Sequence, residues 1–145
     1  MSAYTSALKH IDSAEHILII QADNPDGDSL ASSLALETLL ENLGKKVTMY
    51  CGVTIPTYLR YMHGWDRVVD ELPAQFDASI VVDNSSLTLL ETLQKRGNIG
   101  VLRSKPCIVI DHHTTPSTID FSTVLIQEST VSTGEIIYAL AIEAG

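Results

Sequence analysis

Several things are scarce in this sequence, and each scarcity excludes something. Two cysteines in 145 residues, Cys51 and Cys107, are too few for a disulfide framework. Both lie in or beside apolar strand-like segments, so they read as small buried hydrophobes in a reducing compartment. No apolar run approaches the roughly 20 residues of a membrane span, and the first residues lack the basic-then-apolar pattern of a secretion signal. A cytoplasmic protein with no membrane partner is the default expectation. Basic residues number 9 against 18 acidic ones, for a net charge of -9. A surface of that sign repels a polyphosphate backbone and argues against an extended duplex nucleic acid as partner. A small phosphate ester held through metal ions stays compatible with it. Internal repeats and low-complexity tracts are missing, which excludes solenoid and fibrous architectures.

What is present fits one domain over residues 1–145. Hydrophobic residues make up 45% of the chain and charged residues 19%, enough to build one core. Tyr4 to Ala14 has apolar residues at helical spacing. Ile17-Leu18-Ile19-Ile20 is an unbroken apolar run suited to a parallel strand buried on both faces. Ser29 to Leu43 predicts a long helix, capped by Asp28 or Ser29 and stopped by Gly44. Val47 to Cys51 completes a β-α-β unit. Beyond it, Pro56 opens a short helix through Met62, and Trp65 to Leu72 gives a short edge strand. Tyr58, Tyr61, Met62 and Trp65 read as packing rather than ligand-stacking residues.

Further strands are expected at Ser79 to Val82, at Cys107 to Ile110 and within Thr118 to Gln127. Leu87 to Arg96 is expected to be helical. The last element is a helix from Ser132, with Glu135 at capping-box spacing. The pattern predicts a doubly wound α/β fold of Rossmann-like type, a mainly parallel sheet of about five strands with helices on both faces.

Three of these strands end in groups that can bind metal or move protons. Asn24-Pro25-Asp26-Gly27-Asp28 follows the first. Asp83-Asn84-Ser85 follows the strand at 79–82, and Asp111-His112-His113 follows that at 107–110. One such residue alone has a bland reading, because Asp is a common helix cap and a lone His is usually just hydrogen-bonded. Three on one edge of a parallel sheet, where such folds place their chemistry, point to a composite site. Carboxylates with imidazole select Mn²⁺, Mg²⁺ or Zn²⁺ over a thiolate-bound structural metal.

At these positions the sequence resembles the DHH phosphoesterase superfamily, and within it the branch of nanoRNA exonucleases and phosphoadenosine phosphatases. Asn24 to Ser29 with Ser32 is similar to the first family motif, Val82-Asp83-Asn84-Ser85 to the second, and Ile110-Asp111-His112-His113 to the third. Ser132-Thr133-Gly134-Glu135 is similar to the segment that opens the helix leaving the catalytic domain. The resemblance implies a metal-dependent hydrolase acting on phosphodiester or phosphomonoester bonds of nucleotides or short oligonucleotides. Two Mn²⁺ ions are implied, with Mg²⁺ as the alternative. Asp26 and Asp83 would hold one ion and Asp28, Asp83 and His112 the other. His113 would touch the substrate phosphate, Asp111 would orient a histidine, and Asn24 and Ser85 would contact substrate.

The chain departs from the family pattern in four places. Ala22 stands where the first motif has a metal-binding His. Thr114-Thr115-Pro116 lacks the Asn usual three residues after the second His. The fourth motif, with its further Asp ligand, and the accessory substrate-binding domain have no counterpart before Gly145, so the chain reads as a truncated catalytic domain. A second reading follows from Ala22: a degenerate module that binds one ion or a nucleotide without turnover. A homodimer is left open.

Overall fold

A strand that is apolar on both faces needs a covering layer on each side, and β1 (His16–Gln21) has both. Ile17, Leu18, Ile19 and Ile20 are all fully buried. Side chains alternate across a strand, so Ile17 and Ile19 enter one core and Leu18 and Ile20 the other. The computed structural model describes residues 1–145. It contains a six-stranded, all-parallel sheet in the order β3-β2-β1-β4-β5-β6. The remaining strands are β2 (Lys46–Cys51), β3 (Val68–Val69), β4 (Ala78–Val82), β5 (Cys107–Asp111) and β6 (Val124–Gln127). Helices α1 (Ala3–Ser13), α2 (Gly27–Asn42) and α5 (Thr133–Ala144) supply residues to the larger core. The short helices α3 (Glu91–Lys95) and α4 (Ile99–Arg103) cover the other face.

The strand order reverses between β1 and β4. From β1 the chain steps outward to β2 and β3, then returns to lay β4, β5 and β6 on the opposite flank. Parallel crossovers are right-handed, so this reversal puts α2 on one face and α3 and α4 on the other. The carboxyl ends of β1 and β4, where their following loops diverge, are where folds of this kind place their sites.

Several sequence expectations are corrected in detail. Helix α2 begins two residues earlier than Ser29, and its cap is Asp26 rather than Asp28 or Ser29. The Asp26 carboxylate accepts from the Ser29 amide at 2.8 Å, while Ser29 Oγ accepts from the Asp26 amide at 3.0 Å. This reciprocal box satisfies two otherwise orphaned donors and frees Asp28 to project from the first turn. The expected box at Ser132 and Glu135 does not form: Ser132 makes no side-chain cap bond.

The segment after Pro56 is only a 3₁₀ turn, Thr57–Leu59. Its period is three, so Leu59 takes the buried face and the pair Tyr58 and Tyr61 falls outside, 67% and 78% exposed. Neither tyrosine is a packing residue. Residues 87–96 divide into a 3₁₀ turn, Leu87–Leu90, and α3. Only Val124–Gln127 of the stretch 118–127 is strand. Cys51 and Cys107 are free and buried, and burial pushes both thiols up to about 11.

Gly52 shows how tightly the sheet edge meets α3. A Cβ there would lie 2.4 Å from Asp23 Oδ1 and 2.7 Å from Thr92 Cβ. Asp23 Oδ2 already accepts the Thr92 amide at 2.8 Å, so the acid has no room to yield. Gly52→Ala is expected to lower unfolding stability by about 1–3 kcal/mol, the usual cost of overpacking. Urea denaturation with an unchanged m-value would check it.

Candidate metal centre

The three loops meet where the strand order reverses. Asp28 comes from the first turn of α2, Asp83 from the end of β4 and His112 from the end of β5. His112 Nε2 lies 3.4 Å from Asp28 Oδ2 and 3.4 Å from Asp83 Oδ1. Ligand atoms each about 2.1 Å from a common ion stand about 3.0 to 3.4 Å apart at octahedral or tetrahedral angles. His112 Nε2 therefore stands at coordination-shell spacing from both carboxylates, and the oxygen and imidazole chemistry fits a divalent cation.

Local structure prepares each of them. His112 Nδ1 lies 3.2 Å from the Thr130 carbonyl, which can only accept. Nδ1 is therefore the donor in that bond, and the ring is held with Nε2 turned to the cluster. Asp83 is the only non-glycine residue with positive φ, at 58°. That left-handed conformation costs an aspartate about 1–3 kcal/mol. It turns the backbone as it leaves the sheet, while the Asp83 amide still donates to the Ile110 carbonyl at 2.8 Å.

Helix α5 neutralises part of this negative charge. The Thr133 amide donates to Asp28 Oδ2 at 3.0 Å and the Gly134 amide to Oδ1 at 3.4 Å. Thr133 Oγ1 donates to Asp83 Oδ1 at 2.8 Å. Ser32 Oγ adds a bond to Asp28 Oδ1 at 3.3 Å. A carboxylate at a helix N-terminus meets orphan amide donors and the positive end of the dipole together. Thr133 is fully buried, and sequence reasoning passed over it. The motif signal at 132–135 was visible, but the capping-box pattern drew attention to Ser132 and Glu135 instead.

Burial is the largest influence on Asp83 and pushes its carboxyl up. The Thr133 hydroxyl opposes that shift, while the charges of Asp28 and Asp26 reinforce it, and the group reaches about 8. A carboxyl this reluctant to ionise among other acids marks a position that a cation would stabilise.

His113 and Asp111 form a second unit. His113 Nδ1 donates to Asp111 Oδ1 at 2.5 Å, and the His112 and His113 rings lie 4.3 Å apart. Burial lowers the His113 pKa, but the bond and charge of Asp111, with the charges of Asp83 and Asp26, raise it further, for a net upward shift. Asp111 is fully buried, and its Oδ2 has no partner. Asp83, His112 and His113 each offer an atom within 4.8 Å of one another.

Other sequence candidates are placed differently. Asp26 is exposed and uses one oxygen to cap α2. Asn24 is exposed. Ser85 is tied into the scaffold, its hydroxyl accepting from Gln127 and its carbonyl from Thr118 and Ser117. Ala22 is buried. Neither neighbour replaces the missing imidazole: Gln21 is buried and bonded to Ser29, and Asp23 is bound to Thr92.

Fold and centre together define a doubly wound α/β domain with a carboxylate–imidazole cluster at its switch point. The profile of the DHH family, N-terminal domain, matches residues 16–144, and the chain belongs to that family. No curated protein matches it. Among solved structures it is similar to an exopolyphosphatase-related protein from Bacteroides fragilis, with a TM-score of 0.85 and 24% identity. That match covers 99% of this chain but 44% of the other, so the chain spans less than half the length of that relative. It is also similar to the sugar isomerase domain of an RpiR transcription factor from Sphaerobacter thermophilus, with a TM-score of 0.61 and 17% identity. The coverage there is 97% of this chain and 75% of the other. At these identities the likeness is one of fold. No helix is long and apolar enough to cross a membrane.

The Asp83 shift has a signed consequence for metal-free protein. Its folded pKa lies above the ordinary 3.8, at about 8, so across that window the folded state holds a proton that the unfolded state has released. The stabilisation is fully present below the lower value and is lost as pH rises towards the upper one. The melting temperature in chelator is expected to fall from pH 5 to pH 8.5 more steeply than that of Asp83→Asn. Thr133→Val removes the hydroxyl that favours the charged form. It should move the loss to higher pH, as thermal melts across the range would show.

Proposed function

We propose that this chain is the catalytic domain of a metal-dependent phosphoesterase. Its substrates are phosphodiester or phosphomonoester bonds of nucleotides or short oligonucleotides, as in the nanoRNA exonuclease and phosphoadenosine phosphatase branch. The observation that carries the reading is the convergence of Asp28, Asp83 and His112 to ligand spacing at the switch point. Family membership supports it, as does the fold shared with an exopolyphosphatase-related protein. Asp28, Asp83 and His112 would hold one Mn²⁺ or Mg²⁺, and Asp26 with Asp83 a second. Such ions, when bound, supply positive charge for the phosphate oxygens and lower the pKa of water at the site.

The remaining chemistry belongs to the side chains. Asp111 fixes the His113 ring through Nδ1 and raises its proton affinity. His113 thus presents an N–H to a phosphoryl oxygen, where it stabilises developing charge. Thr133 and the α5 N-terminus hold Asp28 and Asp83 in place before substrate arrives. Asn24, on the exposed loop, faces incoming substrate. The protein works in the cytoplasm on small substrates, with no extended duplex and no membrane.

A second reading rests on a specific observation. Ala22 is buried where the family motif has a ligand, and Asp26 is engaged as a helix cap. The domain would then bind one ion or a nucleotide without turnover. Calorimetric titration with Mn²⁺, combined with hydrolysis of dinucleotides and nucleotide monophosphates, separates the two. Two ions per chain with hydrolysis that Asp83→Ala reduces at least about 1,000-fold, the scale of losing a principal transition-state stabiliser, supports the enzyme. One ion without hydrolysis supports the binding module, and Ala22→His should then raise the stoichiometry to two. Metal binding and hydrolysis that survive Asp83→Ala intact would overturn both readings.

A further inference from the structure

The segment between β6 and α5 touches the centre through a backbone carbonyl, and it has little packing of its own. Its Thr130 carbonyl accepts a hydrogen bond from His112 Nδ1 at 3.2 Å, and it delivers the chain to Thr133. Glu128, Ser129 and Val131 are exposed, and Thr130 and Ser132 are only partly covered. Polar bonds therefore hold it. The Glu128 amide donates to the Asp111 carbonyl at 3.2 Å, the Thr130 amide to the Glu128 carbonyl at 3.0 Å, and Thr130 Oγ1 to the Ser132 carbonyl at 2.8 Å. These bonds make a stiff turn, so a shift of Glu128 moves the Thr130 carbonyl two residues away.

The side chain of Glu128 is held from outside the turn. Tyr4, in the first turn of α1, donates its hydroxyl to Glu128 Oε1 at 2.5 Å. Helix α1 is a firm platform for that bond. Ala7 and Ile11 are in the main core, Tyr4 packs against it, and Ser2 caps the helix by accepting the Thr5 amide. Burial and the Glu128 carboxylate both raise the tyrosine pKa, so the hydroxyl stays protonated and remains a donor. Helix α1 also lies before the family-matched residues 16–144.

We propose that α1 is a positioning element of the metal centre, with the Tyr4–Glu128 bond as the latch that holds the 128–132 turn and thereby the tautomer and aim of His112. The proposal rests on the reading that His112 binds a divalent ion. Tyr4 is a positioning residue and touches neither metal nor substrate. Groups that orient a metal-binding histidine typically change affinity by 10- to 100-fold. One step further out, a change of about 3- to 10-fold is expected on that scale.

The test uses the whole 145-residue chain and two readouts: Mn²⁺ affinity by calorimetry, and exchange of the His112 Nδ1 proton by ¹⁵N NMR of metal-free protein. Tyr4→Phe keeps the ring that packs on the core. It should weaken Mn²⁺ by about 3- to 10-fold and speed exchange of the His112 proton. Glu128→Ala should match it, and the double variant should be no worse than either single one, because both remove the same link. Glu128→Gln, whose amide oxygen still accepts from Tyr4, should restore both readouts. Unchanged affinity and unchanged exchange in Tyr4→Phe and Glu128→Ala would overturn the latch, as would fully additive losses. Wild-type protein that binds no Mn²⁺ would instead overturn the reading of the centre. The latch would then stand or fall on the His112 proton alone.

Discussion

The structure depends on a carboxylate meeting the start of a helix. Asp28 accepts the Thr133 and Gly134 amides across more than 100 residues of chain, and the adjoining Thr133 hydroxyl holds Asp83. Three acids gathered at one sheet edge would otherwise repel one another. An anion at a helix N-terminus is worth about 0.3–1 kcal/mol at the surface and up to about 2 when partly buried. Here the same contact also fixes how α5 lies against α2. Neutralisation of the centre and closure of the fold are one interaction.

The sheet order explains why those acids can meet. With β1 and β4 adjacent and their crossovers on opposite faces, the loops after them diverge at one sheet edge, and β5 brings Asp111, His112 and His113 to the same edge. Two residue pairs then share the work. His112 is turned by a backbone carbonyl so that Nε2 is free, whereas His113 is turned by a buried carboxylate that favours its charged form. Two adjacent histidines thus become chemically different groups: one suited to a cation, the other to an anion. On the proposed two-ion reading, Ala22 would leave the Asp26 side of the centre short of a ligand, whereas the contacts of His112 with Asp28 and Asp83 make no use of that position.

Much of the fold was legible because its cause is local. A fully apolar run at 17–20 can only be a strand covered on both faces, and the leucine-rich stretch before Gly44 can only be a long helix in such an alternation. Elements decided by weak or competing signals were misread. A 3₁₀ turn at 57–59 and the short α-helix expected from Pro56 through Met62 differ in period. That difference decides whether Tyr58 and Tyr61 pack or protrude, and no residue there announces it. Asp26 and Asp28 both make good caps, and only the reciprocal Ser29 bond selects Asp26. Thr133 and Tyr4 escaped notice because their importance lies in partners 50 and 124 residues away.

By itself the sequence determined that the candidate acids and histidines follow parallel strands, because residue type and strand-then-turn order are properties of short segments. Tertiary structure alone decided how they are placed and paired. It set Asp83 in the left-handed region and raised its proton affinity by burying it beside two other acids. It gave His112 and His113 different partners, turned Asp26 into a cap, and set the start of the last helix against Asp28 and Asp83. Each of those outcomes depends on distance, burial and charge between segments far apart in the chain, and only folding sets these.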